Sequence, residues 1–196
     1  MSRNIEFFYD FRSPYSYLAF TQLRGLNASI DFKPMKVLTV MEKVGNTPTT
    51  ITCAAKGRYA RTDLGRWAQR YGLALNPSDM RTNDGEAMAR AVIVAAAEQR
   101  ADVTLALFRA IWSEGRLLAT SEAVVAELAA AGIDTAVIAD RIDVEEAVAQ
   151  LDGFTDEAAT RGVFGSPTMI VDGAMFFGND RIDFLREEIA RLEAAA

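Results

Sequence analysis

The chain has 196 residues, half of them hydrophobic, enough to bury a full core as one domain or as one domain with a large insertion. Its 27 acidic side chains outnumber the 21 basic ones, and no basic stripe is available to neutralise phosphates, so nucleic acid is not an expected partner. There is no histidine and only one cysteine, Cys53, which excludes a Ser-His-Asp triad, a histidine zinc site, a structural zinc site and an intramolecular disulfide.

In chain order, Ile5 to Tyr9 is an apolar, β-prone run that reads as a buried strand. Ser13 then suits a helix N-cap and Pro14 the first helical position, with Tyr15, Ala19, Leu23 and Leu26 on one apolar face. Ser29 to Lys33 reads as a second strand. From about Leu38 to Arg161 the pattern is helical. Ala60, Leu64, Trp67, Ala68 and Tyr71 form a stripe that Gly72 ends; Met88, Ala91, Val92 and Ala95 form another; Leu105, Phe108, Ile111 and Trp112 a third. Ser121 to Ala131 is a helix stopped by Gly132, and Asp134 and Asp143 are candidate caps for two short helices. The segments 168–171 and 174–177 flank Asp172-Gly173, a type I′ hairpin signal. Asn179 or Asp180 is then expected to cap a last helix that turns Ile182, Leu185, Ile189 and Leu192 inward.

Strand-helix-strand opens the chain, a hairpin and helix close it, and helices fill the interval. The expected fold is α/β, a thioredoxin-like domain from residues 1–37 and 162–196 interrupted by a mostly helical insertion at 38–161. The longest apolar run, Ala91 to Ala97, is far short of the ~20 residues that span a bilayer. No signal-peptide pattern is evident, and the lone cysteine fits a reducing compartment, so a cytoplasmic location with no membrane contact is expected.

Ser13-x-x-Ser16 stands where a thioredoxin-like chain carries Cys-x-x-Cys, and Pro167 stands where that fold places a cis-proline. The scaffold of a thiol-handling protein is present without its thiols, which points to a thiol supplied by a ligand. The Ser13 hydroxyl can cap the helix with its oxygen and still direct its proton at a thiolate, in the positive field of the helix start. Arg12 would add to that field if turned inward. A cis bond at Pro167 would present the Ser166 backbone to an extended peptide such as glutathione. The helix start at Gly178-Asn179-Asp180-Arg181 can hold a carboxylate, and Asp180 can pair with an amine. Gly45-Asn46-Thr47-Pro48 reads as a turn. Lys36, Lys56, Arg58, Arg61 and Arg66 read as a solvated face, one member of which could anchor an anion. Cys53 reads as structural or incidental, and Trp67, Tyr71, Phe108 and Trp112 read as core.

Several motifs together resemble a known family: Phe8-Tyr9-Asp10-Phe11-x-Ser13-Pro14-Tyr15-Ser16-Tyr17-Leu18, Gly45-Asn46-x-Pro48, Lys56-Gly57-Arg58-Tyr59, Asp63-Leu64-x-Arg66-Trp67-Ala68-x-x-Tyr71-Gly72, and Val163-Phe164-Gly165-x-Pro167-Thr168 through Gly178-Asn179-Asp180-Arg181. The resemblance is to the 2-hydroxychromene-2-carboxylate isomerases, which stand with the kappa-class glutathione transferases in the DsbA-like group, and it covers essentially the whole chain. It implies a glutathione-dependent enzyme, usually a homodimer, acting on a small-molecule substrate. It places the active-site serine on Ser13, glutathione contacts on Ser166, Pro167, Phe177, Gly178, Asn179 and Asp180, and substrate contacts on Asn46, Pro48 and Thr49. Two positions depart from the family pattern: Ser166, where valine is common, and Thr49, where a second proline is common. The first leaves backbone contacts intact; the second bears on which substrate is taken. A glutathione-dependent isomerase is the leading reading, followed by a kappa-like transferase or peroxidase and by a non-catalytic peptide-binding module. Disulfide exchange is disfavoured because Ser13 and Ser16 cannot cycle between thiol and disulfide.

Overall fold

The computed structural model describes residues 3–195. Strand β1 (Arg3–Tyr9), helix α1 (Pro14–Leu23) and strand β2 (Ala28–Pro34) open the chain. Eight helices follow: α2 (Val37–Lys43), α3 (Thr49–Thr52), α4 (Ala54–Tyr71), α5 (Gly85–Val94), α6 (Arg100–Trp112), α7 (Ser121–Ala130), α8 (Ala136–Arg141) and α9 (Glu145–Thr160). Strands β3 (Thr168–Val171) and β4 (Ala174–Phe177) and helix α10 (Ile182–Ala194) close it. The sheet order is β2-β1-β3-β4, with β1 parallel to β2 and antiparallel to β3. This is the thioredoxin-like α/β arrangement expected.

Side chains alternate across β1, so its two faces feed two cores. Ile5, Phe7 and Tyr9 join Phe20, Phe108, Leu185 and Ile189 on one face, with the Phe7 and Tyr9 rings stacked 4.5 Å apart. Phe8 enters the other with Met35, Val40, Ala158, Val163 and Ile170. Helix α1 is buried on more than the one face its spacing suggested: Tyr17 and Phe20 meet the main core, while Leu18 packs against Leu64 and Ala68 of α4. The hairpin forms as expected, with φ of 48° at Asp172 and 82° at Gly173, the two left-handed residues that a type I′ turn needs. Gly72 ends α4 in the left-handed conformation, φ 67°.

Two cap expectations are corrected. Asp143 caps no helix: its carboxylate accepts from Arg90 Nη2 at 2.9 Å and Ser121 Oγ at 2.7 Å, and the following helix is sixteen residues long, with Val144 at its N-cap. Asp134 does bond the Ala136 amide at 3.1 Å, while Thr135 occupies the cap position of α8. Helix α7 is capped by Thr120, whose hydroxyl accepts from the Ala123 amide at 3.2 Å.

The helices of the middle segment share the main core with the sheet, and two buried polar contacts tie them to β1 and the loop after it. Tyr9 Oη pairs with Thr104 Oγ1 at 3.2 Å; burial pushes this phenol well above the usual tyrosine range and keeps it neutral. The Trp112 indole N–H donates to the Phe11 carbonyl at 2.8 Å. Trp112→Phe strips that buried carbonyl of its donor. It is expected to cost about 2 kcal/mol, read as a lower urea midpoint at unchanged slope. A wild-type midpoint would show that the contact carries no stability.

Candidate active site

The loop from Asp10 to Ser13 is held at several atoms. The Asp10 carbonyl accepts from Ser13 N at 3.0 Å. Its buried carboxylate accepts from Arg12 N at 2.9 Å, from Val37 N at 3.1 Å and from two Arg12 guanidinium nitrogens at 3.3 Å. Arg12 therefore turns to Asp10, whose charge raises the guanidinium pKa above its ordinary value, and not to Ser13. A Cβ on Gly85 would come within 2.8 Å of Arg12 Nε, so the close approach of α5 depends on glycine there.

Ser13 is the N-cap of α1, with Pro14 at the first helical position, as expected. Its oxygen accepts from Ser16 N at 3.3 Å and its proton is donated to the Ser166 carbonyl at 3.1 Å. The Ser166–Pro167 bond is cis, again as expected. The Ser166 hydroxyl accepts from Asp10 N at 2.9 Å and lies 2.6 Å from Ser16 Oγ, which has no exposed surface. Ser13, Ser166 and Pro167 thus share one locus at the start of α1.

The other predicted residues fall on two sides of it. Gly178 N donates to the Pro167 carbonyl at 3.0 Å, which joins the turn before α10 to the Ser166–Pro167 loop. Neither Asn179 nor Asp180 caps the last helix: Arg181 holds the N-cap position of α10, and Asn179–Arg181 form a single 3-10 turn that Gly178 precedes at φ 96°. The Asp180 carboxylate pairs instead with Arg181 at 2.6 Å. Asn179 is buried, and its Nδ2 has no partner among the described residues. A cavity of about 250 Å³ opens beside this turn, lined in part by Gln22, Trp67, Tyr71, Asn179, Asp180 and Arg186. Trp67 and Tyr71, read as core, are half-buried in its wall because α4 packs on α1 through Leu64 and Ala68.

On the other side, Asn46 Nδ2 donates to the Phe164 carbonyl at 2.7 Å, bringing the 45–48 turn against the loop that carries Ser166. Exposed Phe164 and Phe177 pack with ring centres 4.6 Å apart. A Cβ on Gly165 would lie 2.7 Å from the Phe177 ring, so a larger residue there would displace that exposed ring from its present position. Pro48 precedes α3, and Thr49 Oγ1 accepts from Lys56 Nζ at 3.2 Å. Arg58, Arg61 and Arg66 are exposed as expected, and Lys36 is committed to Asp152. The amides of Lys56 and Ala55 lower the Cys53 thiol pKa at the start of α4. Among the described residues no cluster of side chains could hold a metal ion.

Sequence reasoning missed Asp10, which had no local signal beyond its motif, and the contact of Tyr15 with α4. Tyr15 Oη lies 3.3 Å from Asp63 Oδ2 and 3.4 Å from the Ala60 carbonyl, which share its single proton.

Residues 4–190 match the family model described as the DSBA-like thioredoxin domain. The chain belongs to that family. Among family members it is similar to the 2-hydroxychromene-2-carboxylate isomerase of Pseudomonas putida, 33% identical over 96% of this chain and 95% of that one. Glutathione S-transferase kappa 1 of Rattus norvegicus is 28% identical over 93% of this chain and 89% of its own length. A solved 2-hydroxychromene-2-carboxylate isomerase superposes with a TM-score of 0.84 at 30% identity, covering 96% of this chain and 95% of the other. Within the family, the chain therefore stands with enzymes named as isomerases and glutathione transferases.

Tyr15 supplies a pH signature for the α1–α4 contact. Partial burial and then the Asp63 charge raise its phenol from 10.0 to about 12. The folded state holds this proton more tightly than the unfolded chain, so the stabilisation is complete below pH 10 and is lost as pH rises from 10 through about 12. Wild-type unfolding midpoints are expected to fall more steeply across that window than those of Tyr15→Phe. Parallel curves would contradict the assignment.

Proposed function

We propose that this protein is a glutathione-dependent isomerase of 2-hydroxychromene-2-carboxylate or a related unsaturated oxo-acid. The observation that carries the reading is the Ser13 hydroxyl at the N-terminus of α1, 3.1 Å from the Ser166 carbonyl, in a chain with no cysteine pair and no histidine. A serine with no base beside it is poorly suited to attack, but it is well placed to hold a sulfur anion.

The residues present fit glutathione. The Ser166 N–H donates to no acceptor among the described residues and suits a peptide carbonyl. The unpartnered Asn179 Nδ2 suits a carboxylate, and Asp180 at the same turn suits an ammonium group. The γ-glutamyl end of glutathione carries both of those groups.

Bound there, glutathione would supply a thiolate that adds reversibly to the conjugated system and leaves again after bond rotation. The chain's own residues do the rest. Ser13 moves its proton from the Ser166 carbonyl to the sulfur and, with the positive end of α1, keeps the sulfur ionised. Ser166, Pro167, Phe177, Gly178, Asn179 and Asp180 fix the peptide. Asn46, Pro48 and Thr49, from the inserted helical segment 38–161, face the second substrate. Homodimer formation, which the family resemblance implies, and a cytoplasmic location, which the lone cysteine suits, belong to the same proposal.

The kappa-class relatives favour a second reading, a transferase that consumes glutathione. Turnover of a chromene carboxylate with total glutathione unchanged supports the isomerase; stoichiometric loss of thiol supports the transferase. Ser13→Ala is expected to lower kcat/KM by about 100-fold while the circular dichroism spectrum stays that of the wild type. Wild-type turnover would remove Ser13 from the mechanism.

A further inference from the structure

Three hydroxyls meet at the start of α1, and their protons can be counted. A serine hydroxyl has one proton to donate and two lone pairs to accept with. Ser13 donates to the Ser166 carbonyl at 3.1 Å. Ser16 has no exposed surface, and Ser166 Oγ, at 2.6 Å, is the one partner of its hydroxyl among the described residues.

The direction of that short bond follows from burial. If Ser166 donated to Ser16, the Ser16 proton would be stranded in an interior with no acceptor, which folded proteins avoid. Ser16 is therefore the donor and Ser166 Oγ the acceptor. The other Ser166 lone pair takes the Asp10 amide at 2.9 Å. With both lone pairs filled by buried groups, the Ser166 proton is uncommitted. Ser166 is the partly exposed member of the set, whereas Asp10 and Ser16 are buried, so its proton is free to point away from those two groups.

We propose that the Ser166 hydroxyl is a second hydrogen-bond donor to the ligand sulfur, beside Ser13; this rests on the glutathione reading above. Ser13 must leave the Ser166 carbonyl to serve the sulfur, but Ser166 gives up no contact. Because that carbonyl and that hydroxyl belong to one residue touching Ser13 and Ser16, both donors flank the same point at the helix start. Two hydroxyls and the positive end of α1 then share the stabilisation of one thiolate. Ser166 holds its share only while Ser16 and Asp10 fill its lone pairs, which gives the fully buried Ser16 a positioning role.

The test compares Ser166→Thr with Ser166→Val, two side chains of matching shape of which only threonine keeps the hydroxyl. The readouts are the ultraviolet thiolate absorbance of bound glutathione against pH and the affinity for S-methyl glutathione, which cannot ionise. Threonine is expected to keep the wild-type bound-thiol titration. Valine is expected to shift it upward by about one pH unit, a tenfold loss of thiolate at fixed pH. Both are expected to bind S-methyl glutathione as the wild type does. A valine variant titrating like the wild type would overturn the proposal. So would equal weakening of both ligands, which would make the hydroxyl a structural strut. Failure of wild-type protein to bind glutathione at all would overturn the glutathione reading itself, and this inference with it.

Discussion

The buried carboxylate of Asp10 is the constraint around which the loop of the candidate active site is built. A charge removed from water at the end of a central strand must be met by donors, and Asp10 collects the Arg12 guanidinium and the amides of Arg12 and Val37. Meeting that demand fixes Arg12 away from Ser13, draws the start of α2 onto the end of β1, and lets the Asp10 carbonyl and amide reach Ser13 and Ser166. Trp112 then pins the intervening Phe11 carbonyl from the helical segment. Ser13 thus sits on a loop whose backbone is committed on several sides, the rigidity that precise placement of one hydroxyl requires.

On the proposed glutathione reading, the same network lets a site with no thiol of its own hold the sulfur of a ligand. Arg12 is neutralised by Asp10, so the local positive field comes mainly from the amides at the start of α1, a fixed dipole that burial strengthens. The hydroxyls of Ser13, Ser16 and Ser166 form a chain of single-proton donors with no base among them. Such an array stabilises an anion and does not create a nucleophile. Gly178 N on the Pro167 carbonyl joins this end to the turn at Asn179 and Asp180, so an extended ligand bridging the two meets one connected backbone unit.

What the sequence disclosed was local. The Ser13-Pro14 helix start, the Asp172-Gly173 turn, the Gly72 stop and the apolar run of β1 each have signals within a few residues, and each formed as read. Contacts that span the chain had no such signal. Asp143 resembles a cap until Arg90 and Ser121, far away in sequence, claim its carboxylate. Asn179 resembles a cap, yet it lies in a 3-10 turn that leaves Arg181 at the start of α10, and its side chain is buried. Trp67 and Tyr71 have core spacing, but Leu64 and Ala68 take the buried contact with α1 and leave these two partly buried at a cavity wall. The pairing of Ser16 with Ser166, 150 residues apart, rests on the topology that sets β3 beside β1. The resemblance to the isomerases named candidate site residues; it carried none of their hydrogen bonds.

A crystal structure of the protein with glutathione bound tests the central claim most directly. The account expects the sulfur within hydrogen-bonding distance of Ser13 Oγ, the peptide backbone on the Ser166 N–H, and the γ-glutamyl group at the turn of Asn179 and Asp180. Glutathione bound elsewhere, or held here with its sulfur turned away from Ser13, would contradict it.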